Sequence, residues 1–141
     1  MKIAATIARY LMGFIFTVFG LNGFLHFLPM GPVPPLAAQF YGALVQSHYM
    51  AVVFALQLIC GLMLLANRYV PLALTILGAI IFNIVLFHLF MAPSGLPLAA
   101  VVALLWGVLA YRARSVFAVL FQNSYETAIG KESGRDVRSV A

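Results

Sequence analysis

Charged side chains are scarce in this chain of 141 residues. They make up 8% of the sequence, whereas soluble domains average about 25%. Between Tyr10 and Tyr111, Arg68 is the only charged residue. Apolar residues reach 65%, and a hydrophobic core of that proportion is too large for so short a water-soluble chain. The composition therefore excludes a soluble domain and predicts an all-α integral membrane protein.

Cysteine is almost absent, since Cys60 is the only one in the sequence. A single cysteine excludes a disulfide framework and a Cys-x-x-Cys redox centre. It also argues against the four-helix membrane thiol oxidoreductases, whose chemistry needs paired cysteines. Cys60 itself is interpreted as a small core residue. The basic residues flank apolar runs and form no patch, so the net charge of +5 points to a lipid bilayer as partner and not to nucleic acid.

The longest uncharged apolar run covers residues 70–93 and contains two polar side chains, Asn83 and His88. Its length is sufficient to cross a bilayer at about 1.5 Å per residue. Polar groups in such a span cost free energy and often mark function. A similar pattern occurs earlier, where Asn22 precedes His26 and a proline-rich segment. The sequence therefore predicts two related halves, which are parallel two-helix repeats.

The apolar runs predict a four-helix membrane bundle over residues 1–114, with spans at about residues 8–28, 49–66, 70–91 and 96–113. The first run is too long for a signal peptide and lacks a small-x-small cleavage site at its end. Residues 36–45 are too short to span and predict an outer interfacial or re-entrant helix. Residues 115–141 predict a cytoplasmic amphipathic segment up to residue 129, followed by a disordered tail.

The basic residues also predict an orientation, because all of them fall on one side of a four-span topology. The loops at residues 29–48 and 92–95 contain none. The positive-inside rule then places both termini and the turn at Arg68 in the cytoplasm. The basic residues are Lys2, Arg9, Arg68, Arg112, Arg114, Lys131, Arg135 and Arg138.

Five polar residues form the candidate ligand-binding site. Counting along the helices places Asn22, Gln57 and Asn83 roughly 9–12 Å below the outer boundary, and His26 and His88 about 3–5 Å below it. Asn22 and His26 are four residues apart and share a helical face. Asn83 and His88 are five apart, so either they serve different neighbours or a π-bulge aligns them.

Two interpretations of these five residues stay open. The amides could join helices by hydrogen bonds, and the histidines could be satisfied near the interface. Alternatively, the residues bind a ligand. Two imidazoles without a carboxylate or thiolate form an incomplete metal site, and haem finds no further support in the sequence. A quinone fits better, because its carbonyls need only one or two donors in an apolar pocket. Aromatic residues available for the walls are Phe24, Phe27, Phe82, Phe87 and Phe90.

The segment from Gln57 to Leu74 (QLICGLMLLANRYVPLAL) resembles the DoxX/DoxD-like family of small bacterial membrane proteins, and residues 8–13 (ARYLMG) and 18–20 (VFG) look like that family's first helix. The resemblance covers about residues 5–115 and implies a four-helix bundle in the bacterial inner membrane. Some relatives are subunits of thiosulfate:quinone oxidoreductase, and others associate with redox-stress enzymes. The family often has a glutamate four residues before the glycine that matches Gly61. Here that residue is Gln57, whose neutral amide carries no proton.

The sequence thus predicts a quinone-linked subunit or accessory of a membrane redox system. His26 and His88 would donate to the quinone, while Asn22, Asn83 and Gln57 would shape the pocket. Electrons would come from a membrane or peripheral redox protein partner, because the chain has no cofactor motif of its own. A homo-oligomer is a further expected partner arrangement. A first alternative function is a non-enzymatic scaffold or assembly factor. A second is a transporter of small solutes or lipids.

Overall fold

The structure is a computed structural model that describes residues 2–29 and 31–118. Every regular element in these residues is helical. The longer helices are α1 (Lys2–Leu25), α2 (Pro35–Gln46), α3 (Tyr49–Leu65), α4 (Val70–Phe90) and α5 (Leu96–Arg112). A 3₁₀ turn at Pro93–Gly95 precedes α5, and the short α6 (Arg114–Phe117) follows it.

Several of these helices are long and apolar enough to span a membrane, which indicates a multi-pass membrane protein. In the described residues, α1, α4 and the segment Pro93–Arg112 each meet this criterion alone. Helix α3 has 17 residues, or about 26 Å, and falls short of a hydrocarbon core of about 30 Å. It qualifies only together with α2, which meets it at a bend of 85°.

Prolines set the starts of three helices, as their fixed φ and missing N–H group favour the first turn. Pro35, Pro71 and Pro97 occupy that position in α2, α4 and α5. The short helix predicted at residues 36–45 is present as α2. The predicted end of the first helix was wrong, however, because α1 stops at Leu25 instead of residue 28. His26 has a left-handed φ of 51°, so it lies just beyond the helix instead of on a face shared with Asn22.

Helices α1 and α3 pack most closely, because glycines remove side chains from their interface. A Cβ at Gly61 of α3 would lie 2.6 Å from the backbone nitrogen of Thr17. A Cβ at Gly20 of α1 would lie 2.6 Å from the backbone nitrogen of Leu58. Such small-residue contacts let backbones approach in membrane helices, where van der Waals packing replaces the hydrophobic driving force.

The four longest apolar helices enclose a common core. Helix α1 contacts α3 and α5, and α4 contacts the same two helices. The largest fully buried side chains come from α1, α3 and α4: Met12, Leu64, Leu74, Leu77 and Cys60. This arrangement brings the start of α1, the α3–α4 turn and the end of α5 to one end of the helices. We call it the basic end, because Arg9, Arg68, Arg112 and Arg114 all lie there.

Two sequence predictions remain predictions after this description. The tail prediction concerns residues 119–141, which lie outside the described residues. The internal repeat has no direct test, although the two histidines occupy unlike backbone positions. His26 follows α1, whereas His88 lies inside the last turn of α4.

Candidate functional site

Asn22 and His26 mark the point where α1 ends. The Asn22 side-chain oxygen accepts a hydrogen bond from the Leu28 N–H group at 2.7 Å. The His26 N–H group donates to the Asn22 carbonyl at 2.8 Å. Since unpaired backbone groups are costly in an apolar environment, Asn22 stabilises the chain as it leaves the helix. The His26 side chain is exposed.

Asn83 and His88 also have local backbone partners. The Asn83 amide nitrogen donates to the Ala79 carbonyl at 2.9 Å, one turn earlier in α4. The His88 Nδ1 atom lies 3.0 Å from the Ala92 carbonyl, and its ring packs against Gly95. Helix α4 is regular through both residues, so no π-bulge aligns them. Of the two arrangements that the spacing leaves open, the structure has the one with different neighbours.

Gln57 differs from the other four candidates. It is 6% exposed and is the one buried polar residue among the described residues. It lies on the buried face of α3 with Cys60, Gly61 and Leu64. The described chain provides no hydrogen-bond partner for its amide. An unpaired buried amide costs about 1–3 kcal/mol by mutational measures, so burial of Gln57 lowers the stability of the core.

The five candidates do not form a joined site in the described chain. No hydrogen bond or ring contact joins the side chains of any two of them, and the one bond between two candidates is the backbone bond from His26 to Asn22. His26 follows α1 and His88 lies in α4, and these two helices both contact α3 and α5. The described residues also contain no group of three histidine, cysteine or acidic residues placed to hold a metal ion. The ligand-binding role of the five residues therefore stays a prediction.

A large concavity lies elsewhere, between α4, α5 and α6. It is an open groove of about 920 Å³, within the range of small-molecule sites. We call it the α4–α5 groove. Its lining is mostly apolar and comes from Thr75, Gly78, Ala79, Trp106, Ala110, Arg114, Ser115, Phe117 and Ala118.

Trp106 fixes the geometry of this groove. Its indole N–H group donates to the Leu74 carbonyl of α4 at 2.8 Å. The indole ring lies against Gly78, where a Cβ would come within 3.0–3.3 Å of three ring atoms. The hydrogen bond and the small Gly78 residue together hold the indole ring against α4, where it lines the groove.

Hydrogen-bonding groups are confined to a few positions of the groove. The Thr75 hydroxyl donates to the Pro71 carbonyl at 2.9 Å. One Arg114 nitrogen, Nη1, donates to the Tyr111 carbonyl at 3.3 Å, and the guanidinium lies 4.7 Å from the Tyr111 ring centroid. The Ser115 hydroxyl has no partner within the described residues. Arg114 and Ser115 thus place donors at the basic end of an aromatic-walled groove.

The sequence analysis did not predict the groove, because several residues that line it are glycine or alanine and have no functional group in their side chains. Gly78, Ala79 and Ala110 contribute by their small size, which leaves space between the helices. One signal was available: Trp106 is the only tryptophan, and it stands in a helix that is otherwise rich in alanine, valine and leucine.

Comparison with known proteins gives no match to a family model, a curated protein or a solved structure.

Proposed function

We propose that this chain is an inner-membrane, four-helix protein of the DoxX-like type that binds a quinone. It would serve as a quinone-linked subunit or accessory of a membrane redox system, with both termini in the cytoplasm. The observation that carries the proposal is the α4–α5 groove, which joins an apolar cavity to hydrogen-bond donors at one end. Electrons would come from a redox protein partner.

The lining of the groove suits the two parts of a quinone. A prenyl chain is apolar, and it would lie along Gly78 and Ala79 at membrane depth. The quinone ring would contact the aromatic faces of Trp106 and Phe117, since offset stacking favours such pairs. Its carbonyls accept hydrogen bonds, for which Arg114 and Ser115 lie at the basic end. The histidines at the opposite end remain the alternative location.

Fluorescence of the sole tryptophan tests this location directly. Quinones quench indole emission, so decylubiquinone is titrated into the purified protein in nanodiscs. We expect saturable quenching for the unchanged chain. Ala110→Leu fills the groove and is expected to weaken binding about tenfold, the equivalent of about 1.4 kcal/mol, which lies within the usual cost of overpacking. Gly107→Leu is the matched control, because nothing lies within 4 Å of a Cβ there.

The other outcomes are equally informative. If the double variant His26→Phe/His88→Phe loses quenching while Ala110→Leu keeps it, the quinone binds at the outer end and the groove assignment fails. If quenching is linear and unsaturable in every variant, the quinone meets the protein only by collision in the lipid. That result would refute quinone binding altogether.

A scaffold function is the second candidate, and Asn83 favours it. The Asn83 side chain is exposed on the surface of α4, beside Phe82, which is 64% exposed. Polar residues within spans rarely face lipid and usually meet another helix. The Asn83 oxygen has no partner in the described chain, so an amide from a second copy or another membrane protein could satisfy it.

Cross-linking in native membranes examines the second candidate. In a Cys60→Ala background, Phe82→Cys should form a disulfide-linked dimer if α4 faces α4 of another copy. Adding Asn83→Leu should reduce the dimer, and Asn83→Gln should keep it because the amide is retained. Equal dimer yields with Asn83→Leu and Asn83→Gln would exclude an amide contact between copies.

A further inference from the structure

Among residues 2–29 and 31–118, the basic end carries four arginines and no acidic residue. Arg9, Arg68, Arg112 and Arg114 all belong to the described residues. The sequence has three acidic residues in all, and each of them lies beyond residue 118. Within the described residues, therefore, no carboxylate is present to neutralise these arginines.

Two of the arginines line one small cavity at this end. The cavity has a volume of about 380 Å³ and lies where the start of α1, the α3–α4 turn and the end of α5 meet. Its polar lining comes from Thr6, Arg9, Asn67 and Arg112. Apolar side chains such as Val70 and Leu109 complete the wall. Three separate segments thus bring two guanidinium groups to one concave surface.

Arg9 is held in place by the end of α3. Its Nη1 atom donates to the Leu64 carbonyl and lies 3.4 Å from the Leu65 carbonyl. The guanidinium also lies 4.3 Å from the centroid of the Tyr10 ring. A guanidinium has five N–H donors, and these contacts use Nη1 only. Arg9 therefore presents a pre-oriented charge with donors remaining.

Arg112 is less constrained. Its side chain is exposed, and it has no hydrogen bond, ion pair or ring contact with the rest of the described chain. Two like charges on one cavity repel each other, and this repulsion is relieved when an anion binds between them. Phosphate suits such a pair because guanidinium groups bind its oxygens in a bidentate manner.

We propose that this cavity binds a phosphate group. Its position at the end of membrane-spanning helices matches the depth of lipid headgroups, and basic pockets between helices are known to bind anionic lipids. The apolar wall formed by Val70 and Leu109 would then contact the glycerol or acyl part. A soluble phosphate compound would use the same arginines but not the apolar wall. This proposal is independent of quinone binding in the α4–α5 groove.

Native mass spectrometry of the full chain tests the proposal, with the protein released from nanodiscs that contain phosphatidylcholine and phosphatidylglycerol. We expect retained phosphatidylglycerol, with Arg112→Gln lowering its occupancy about fivefold, which corresponds to about 1 kcal/mol per basic residue near the surface. Arg112→Lys should retain part of the binding. Arg68→Gln is the matched control, because it removes the same charge from the same end but does not line the cavity.

Adding inorganic phosphate to the same experiment distinguishes a lipid headgroup from a soluble phosphate compound as the ligand. If inorganic phosphate at millimolar concentration displaces the lipid, and binds alone with the same dependence on Arg112, the site takes soluble phosphate as well. If only the lipid binds, the apolar wall contributes. Equal losses in Arg112→Gln and Arg68→Gln would overturn the proposal, because they would indicate general surface attraction. The proposal would also be overturned if the unchanged chain binds no lipid and binding appears only when Glu126, Glu132 and Asp136 are all replaced by neutral residues.

Discussion

Gly61→Ala examines a close backbone contact in the fold, the approach of α3 to α1. The added Cβ would lie 2.6 Å from both the backbone nitrogen and the Oγ1 atom of Thr17, and 2.9 Å from the Gly13 carbonyl oxygen. Favourable contacts between heavy atoms need about 3.5–4.0 Å. Two of the three atoms belong to the α1 backbone, which no side-chain rotation can move. The helices must therefore separate locally by about 1 Å.

The expected change in the free energy of unfolding for Gly61→Ala follows from two opposing effects. Overpacking that forces a backbone shift costs about 1–3 kcal/mol. Alanine favours the helix over glycine by up to about 1 kcal/mol. We therefore expect Gly61→Ala to lower the free energy of unfolding by up to about 2 kcal/mol. Gly107→Ala is the control, since a Cβ there has no neighbour within 4 Å. It should be neutral or stabilise by up to about 1 kcal/mol.

Unfolding by SDS in mixed micelles, followed by Trp106 fluorescence, measures both variants. Gly61→Ala should unfold at a lower SDS fraction than the unchanged chain, and Gly107→Ala at an equal or higher one. Gly20→Ala, whose Cβ would lie 2.6 Å from the Leu58 nitrogen, should resemble Gly61→Ala. If Gly61→Ala matched Gly107→Ala, the close approach of α1 and α3 would be refuted.

Three further variants are expected to change the same free energy of unfolding. Gln57→Leu should raise it by about 1–3 kcal/mol, because an unpaired buried amide is removed; a decrease would show that the amide has a partner. Arg9→Gln should lower it by about 1–2 kcal/mol through the lost contacts to the α3 carbonyls, with partial recovery in Arg9→Lys; equal stability would exclude a capping role. Trp106→Phe removes the fluorescent probe, so its unfolding is followed by circular dichroism; it should lower the free energy of unfolding by only about 0.6–1.5 kcal/mol, and a larger loss would mean that the indole supports more than one hydrogen bond.

The helices could be predicted from sequence because their signals are local. Apolar runs predict α4 and α5 well, and Pro71 and Pro97 mark where they begin. The end of α1 was harder to predict, because Phe27 and Leu28 continue the apolar run beyond His26. What ends the helix is a local contact, in which the Asn22 side chain accepts the Leu28 N–H group.

The roles of polar residues could not be predicted in the same way. The sequence around an asparagine in an apolar run is the same whether its side chain binds another helix or the backbone of its own helix. Asn83 does the latter, through Ala79. The α4–α5 groove depends on how far apart two helices lie at Gly78 and Ala110, and spacing between helices is a tertiary property. Trp106 shows this most clearly, because its partner Leu74 is 32 residues away.

The arginines gathered at one end of the helices couple the protein to the electrical potential across its membrane. Each elementary charge moved through that potential is worth about 2.3 kcal/mol per 100 mV. Turning the molecule over would carry Arg9, Arg68, Arg112 and Arg114 to the other side. At 100 mV this amounts to about 9 kcal/mol in favour of keeping them on the electrically negative side. A membrane potential would therefore favour the orientation with the basic end on the electrically negative side, and this bias would disappear in vesicles without a potential.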